Sequence, residues 1–190
     1  MPESAQVSTS GSFVLAHPLD EFYARTGGQL PVLRRVPAED IPEPYRSLLV
    51  HQNDMTSTLE NFHDCSIHLH VVGRERRNGE YFREVVLQLD GNDKPVEFGA
   101  IKINLHLFPT ATQQRILEER YPLGHILKEG AIKYESRPQA FFRVASDALI
   151  KGLLNLREST NLFGRRNTLF DQQGRSLAEI VEILPPEPAP

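Results

Sequence analysis

The chain has 190 residues, with 21 Lys plus Arg against 25 Asp plus Glu and a formal charge of −4, and its length suits one domain or at most two small ones. Its single cysteine, Cys65, excludes an internal disulfide framework and points to a reducing compartment. No run reaches the roughly 20 apolar residues that span a bilayer, so no membrane partner is expected, the polar start Met1–Ser12 has no signal-peptide pattern, and the acidic balance argues against nucleic acid as the main partner, so a cytoplasmic protein is expected.

Residues 1–12 are small and polar and read as a flexible tail, residues 186–190 as a proline-rich tail, and residues 13–185 as the folded unit. Asp20–Arg25 starts a short helix with Pro18 near its first turn. Tyr45, Leu48, Leu49, Met55, Leu59 and Phe62 have helical spacing, and Asp54 or Thr56 can cap a second helix, so this stretch reads as two short helices or one broken one. The period then changes to two. In Cys65–Val72, Cys65, Ile67, Leu69 and Val71 face one way and Ser66, His68, His70 and Val72 the other. Gly73–Glu80 reads as a charged loop holding the hairpin signal Asn78-Gly79. Strands Tyr81–Asp90 and Val96–Leu107 follow, making an antiparallel meander. Thr110–Arg120 reads as a helix capped by Thr110 or Thr112, and Leu123–Lys128 as a helical turn closed by Gly130. Ala140–Val144 reads as a strand and Ser146–Asn155 as a helix. Asn161–Phe170 and Ser176–Leu184 form a hairpin about Asp171–Arg175. The predicted class is α+β, a single antiparallel β-sheet with flanking helices.

Arg83 shares a strand face with Val85, Leu87 and Leu89. A guanidinium there either grips a ligand carboxylate with paired hydrogen bonds or reaches water or a structural acid at the strand end. Glu182 is its counterpart, on a face with Ala178, Ile180 and Leu184. It reads equally as an acid with a raised pKa and as half of an ion pair across the sheet, with Arg165 or Arg166 as partner. In Gly164-Arg165-Arg166 the two arginines must point to opposite faces. His68 and His70 share a face that His106 could join, but no second ligand set at metal-binding spacing accompanies them, so a solvated polar face is the plainer reading and no metal is expected. Pro122-Leu123-Gly124 is a sharp turn able to offer backbone N–H groups to an anion.

Four stretches occur in an order that resembles chorismate lyase, which converts chorismate to 4-hydroxybenzoate and pyruvate. They are Leu48-Leu49 with Asp54-Met55-Thr56; Phe82–Leu87 with Asp90-Gly91; Tyr121-Pro122-Leu123-Gly124; and Phe163–Arg166 through Gly174 to Val181–Pro185. The resemblance covers roughly residues 43–185 and is closer to a divergent, longer branch of that family. It implies a buried ligand pocket inside the sheet-and-helix fold. It makes Arg83 and Glu182 the catalytic residues, with Arg83 on a substrate carboxylate and Glu182 at the ring hydroxyl and enolpyruvyl ether. It makes Met55, Leu123 and Gly124 substrate-binding positions, with no cofactor. Chorismate would be the substrate, an aromatic acid the product, and quinone synthesis the setting. One departure stands out: the best-known lyases carry an arginine on the strand after the central turn, where this chain reads Phe98-Gly99-Ala100-Ile101-Lys102.

The rival reading is a non-catalytic module that binds a small aromatic acid, because effector-sensing domains of some transcription regulators resemble the same fold. The roughly forty residues before the matched region look too few and too poor in basic residues for a DNA-binding helix-turn-helix.

Overall fold

The computed structural model describes residues 15–187; the expected tail over residues 1–12 and the last three residues of the proline-rich tail lie outside this span. Seven strands run β1 (Leu33–Val36), β2 (Ile67–Arg77), β3 (Glu80–Leu89), β4 (Pro95–Asn104), β5 (Glu135–Ala145), β6 (Asn161–Phe170) and β7 (Ser176–Leu184). Among the described residues the complete α-helices run α1 (Leu19–Thr26), α2 (Tyr45–Leu49), α3 (Met55–His63), α4 (Thr110–Leu117), α5 (Leu123–Glu129) and α6 (Ala148–Leu153). The strands form one sheet in the order β1-β5-β6-β7-β4-β3-β2, and every pair is antiparallel. Two meanders, β2-β3-β4 and β5-β6-β7, are thus joined where β4 meets β7. No described helix is long and apolar enough to cross a membrane.

Alternation along the strands sorts the core onto two faces. Phe82, Val86, Phe98, Ala100, Val181 and Ile183 pack under α1 and α6, against Leu19, Phe22, Tyr23 and Ile150. On the other face, Tyr81, Ile101 and Ile103 pack under α4 and α5, and Leu87, Leu89 and Leu184 pack under α2 and α3. Fully burying one such apolar side chain is worth about 1.5–3 kcal/mol, and this burial holds the short helices, which are too short to be stable alone.

The segment Tyr45–Phe62 takes the two-helix alternative, with a break at Val50–Asp54, and of the two cap candidates Asp54 caps the second helix by accepting a hydrogen bond from the Ser57 backbone N–H at 2.9 Å. Other local expectations are corrected. The charged stretch Gly73–Arg77 is strand rather than loop. β2 runs through to Arg77, and only Asn78 and Gly79 turn, at φ 51° and 79°, the left-handed pair that a two-residue hairpin requires. β2 is an edge strand with a bulge between Val71 and Gly73, so charges on both of its faces are tolerated there. The N-cap of α4 is Pro109, not Thr110 or Thr112. β5 starts at Glu135, five residues before the predicted strand, and the four-residue β1 had no sequence counterpart.

Candidate functional site

A cavity lies between the sheet and the N-terminal ends of α3 and α5. Its floor comes from alternate residues of β3 and β4: Arg83, Val85 and Leu87, then Glu97, Gly99 and Ile101. Asn167 and Leu169 of β6 and Ile180 and Glu182 of β7 continue the floor. Asp54, Met55 and Thr56 meet Pro122, Leu123 and Gly124 over it. The two helix ends touch closely. A Cβ on Gly124 would lie 2.5 Å from the Asp54 Oδ1 and 3.2 Å from the Thr56 Oγ1, so a side chain there would push the helix ends apart. All five residues implied by the resemblance, Arg83, Glu182, Met55, Leu123 and Gly124, therefore share one cavity.

Arg83 is 2% exposed, and its Nε and Nη1 have no hydrogen-bond partner among the described residues. Burial pushes its pKa down to about 10, so the guanidinium is still charged at neutral pH. An unpaired buried charge costs several kcal/mol. Here that cost leaves a fork of donors ready for a carboxylate, the partner whose geometry matches it.

Glu182 adopts the ion-pair alternative. It is the direct cross-strand neighbour of Arg165, whose Nε donates to Oε2 and whose Nη2 donates to Oε1 at 3.5 Å. Arg166 points to the opposite face and pairs with Glu179 at 2.6 Å. Arg165 does more than neutralise Glu182. Its Nη1 donates to the carbonyls of Leu49 (3.2 Å) and His51 (3.1 Å) and to the His51 Nδ1 (3.3 Å), and its Nη2 reaches the Asn53 carbonyl at 3.4 Å. The loop that leads into α3 is thereby fixed to the sheet. Burial and then the Arg165 charge hold the His51 pKa down. A neutral ring that accepts at Nδ1 donates from Nε2, here to the Leu48 carbonyl at 2.7 Å.

Two site residues were not singled out from the sequence. Glu97 is 4% exposed, lines the cavity, and has an Oε2 without a partner among the described residues. Burial first, then the nearby Glu182 carboxylate, raise its pKa well above the ordinary carboxyl value. Gly99 leaves room for it, since a Cβ there would lie 2.9 Å from the Glu97 Oε1. The available signal was parity, because Glu97 shares a face with Gly99 and Ile101. The second is His51, which nothing in its local sequence distinguishes.

The histidines stay apart from this site. His68 pairs with Asp90 at 2.8 Å on the edge strand, and among the described residues no three His, Cys, Asp or Glu side chains are grouped to hold a metal. Cys65 is half-buried and close to the Asp90 carbonyl, with no histidine bonded to it.

Comparison of the chain with protein-family models and with curated proteins finds no match. Among solved structures the chain is similar to the effector domain of PhnF from Mycobacterium smegmatis, at 14% identity and a TM-score of 0.54, over 72% of this chain and 90% of that one. It is similar to PhnF from the same organism at 12% identity and a TM-score of 0.55, over 87% of this chain and 92% of that one. It is also similar to gene product SA0254 from Staphylococcus aureus, at 8% identity and a TM-score of 0.53, over 72% and 90% of the two chains. Identities this low speak for fold alone, and that fold is the chorismate lyase-like one: a single antiparallel seven-stranded sheet with flanking helices.

Proposed function

We propose that this domain binds a small organic acid with a flat apolar body, an aromatic acid above all, and holds it as an effector without turning it over. The observation that carries this reading is Arg83, a buried charged fork with two nitrogens unpartnered among the described residues, on the wall of a largely apolar cavity. Val85, Leu87, Ile101 and Leu123 supply apolar walls of the kind that surrounds small ligands, with few polar groups to orient them. The similar structures described as effector domains favour binding over catalysis. The pairing of Glu182 with Arg165 favours it too, because a carboxylate held in a tight ion pair is a poor proton donor.

Elimination of pyruvate from chorismate is the second reading. It is supported by Arg83, Glu182, Met55, Leu123 and Gly124 lining one cavity in the arrangement the resemblance implies. In that reaction Arg83 would hold a carboxylate of the substrate and Glu182 would orient the ring hydroxyl, while enclosure keeps the substrate in a reactive shape. Calorimetry with 4-hydroxybenzoate, run beside a chorismate turnover assay, tests both. Effector binding predicts saturable 4-hydroxybenzoate uptake, weakened at least ~10-fold in Arg83→Met, the scale of one lost charge-assisted hydrogen bond, with no pyruvate released from chorismate above the spontaneous rate. Arg83-dependent pyruvate release would establish the lyase instead, and absence of both binding and turnover would overturn the carboxylate reading altogether.

A further inference from the structure

We propose that Glu97 is the specificity-determining residue of this cavity: it admits a monocarboxylate whose far end carries a neutral hydrogen-bond acceptor, and it turns away a dicarboxylate. This rests on the reading of Arg83 as the carboxylate grip and adds what the other end of the ligand must be.

The placement is fixed by strand register. Arg83 lies opposite Ile101, whereas Glu97 lies opposite Leu87, so the two groups sit four residues apart along β4, or about 13 Å between backbone levels at ~3.3 Å per residue. Both side chains are buried, both line the cavity, and each has a polar atom without a protein partner among the described residues. A ligand lying between them meets a cationic fork at one end and a carboxyl group at the other.

The charges around Glu97 decide its form. Glu182 on β7 and Asp54 at the cap of α3 are acidic, and Arg165 on β6 is already bonded to Glu182. The inward neighbours of Glu97 on its own strand, Gly99 and Ile101, are uncharged, and the one cation on β3, Arg83, stands at the other end. A second anion beside Glu182 in a largely apolar cavity is disfavoured, which favours the protonated form of Glu97 with its O–H donor. That donor suits an ether, carbonyl, amide or hydroxyl oxygen. A ligand with a second carboxylate would bring a further negative charge among Glu97, Glu182 and Asp54, where the described lining residues hold no free cation to receive it. This weighs against a dianion such as chorismate and is compatible with a hydroxybenzoate.

Calorimetry with three probes tests this: benzoate, 4-carbamoylbenzoate and benzene-1,4-dicarboxylate. The last two have nearly the same shape and differ by one charge. The wild type should bind 4-carbamoylbenzoate at least ~10-fold tighter than the dicarboxylate at pH 7, and Glu97→Leu should lose about that factor for 4-carbamoylbenzoate while barely changing benzoate, which has no far acceptor. Binding of 4-carbamoylbenzoate to the wild type should also weaken as the pH is raised and Glu97 ionises. Glu97→Gln keeps the volume and a donor but cannot ionise, so its binding should lose that pH dependence, and this arm carries the test if the leucine variant does not fold. Equal affinity for the two para-substituted probes, or a Glu97→Leu loss shared equally with benzoate, would overturn the role of Glu97 while Arg83-dependent binding left the carboxylate reading standing. No binding of any probe would overturn both.

Discussion

Two arginines lie fully buried on the same sheet face, and their surroundings are opposite. Arg165 is saturated: one carboxylate, three backbone carbonyls and an imidazole nitrogen receive its protons. Arg83 has at least two nitrogens without a hydrogen-bond partner among the described residues. The same side chain is framework in one place and an open valence in the other, and the difference lies entirely in the neighbours. A buried arginine whose donors are filled resists removal, because its partners would be left unpaired. A buried arginine with empty donors weakens the fold.

Stability measurements can break this contrast. Arg165→Met leaves Glu182 buried and uncompensated and strands the carbonyls of Leu49, His51 and Asn53. It should cost about 3–5 kcal/mol, read as a fall in the urea midpoint. Arg83→Met should act in the other direction, raising stability by about 1–3 kcal/mol, since it removes an unsatisfied buried polar group while filling similar volume. Losses of similar size in both variants would mean that Arg83 has a structural partner after all. Glu97 and Glu84 sharpen the contrast through pH. Both are buried with an oxygen unpartnered among the described residues, and burial is the chief cause raising each pKa above the usual 4.5. The unfolded chain ionises these groups first, so their stabilising contribution is complete below about pH 4.5 and is lost as pH rises through the folded-state values, with a slope of at most about 1.4 kcal/mol per pH unit for each. Glu97→Gln should flatten this decline in thermal melts taken from pH 5 to 8. The smallest effect is Asp54→Ala, expected to cost about 1 kcal/mol through the lost cap of α3 and to loosen the junction with Gly124.

Strand periodicity made half of the site readable. Arg83 and Glu182 stood out because a period of two placed each among apolar residues, and the cavity does lie on that face. The choice between Arg165 and Arg166 could not be made from parity within one strand. It depends on the register of the β6–β7 hairpin, which is shifted by an irregularity between Leu169 and Phe170. Glu97 shares the right parity but sits near the start of a strand, two residues after Pro95, where a charge passes for a turn residue. β1 has two arginines in four residues and finds its partner β5 about a hundred residues away, so no local pattern marks it. The stretch Gly73–Arg77 was read as loop because its charges suggest solvent on every side, a condition that an edge strand also meets.

The grip of Arg165 on residues 49–53 has a consequence for the cost of recognition. The chain entering α3 is held at three carbonyls from behind, so the wall bearing Asp54 and Met55 is in position before any guest arrives. Entropy that a mobile loop would surrender on capturing a small molecule has already been surrendered during folding. A molecule of about ten heavy atoms could then be bound tightly for its size, and the residue responsible would be one it never touches.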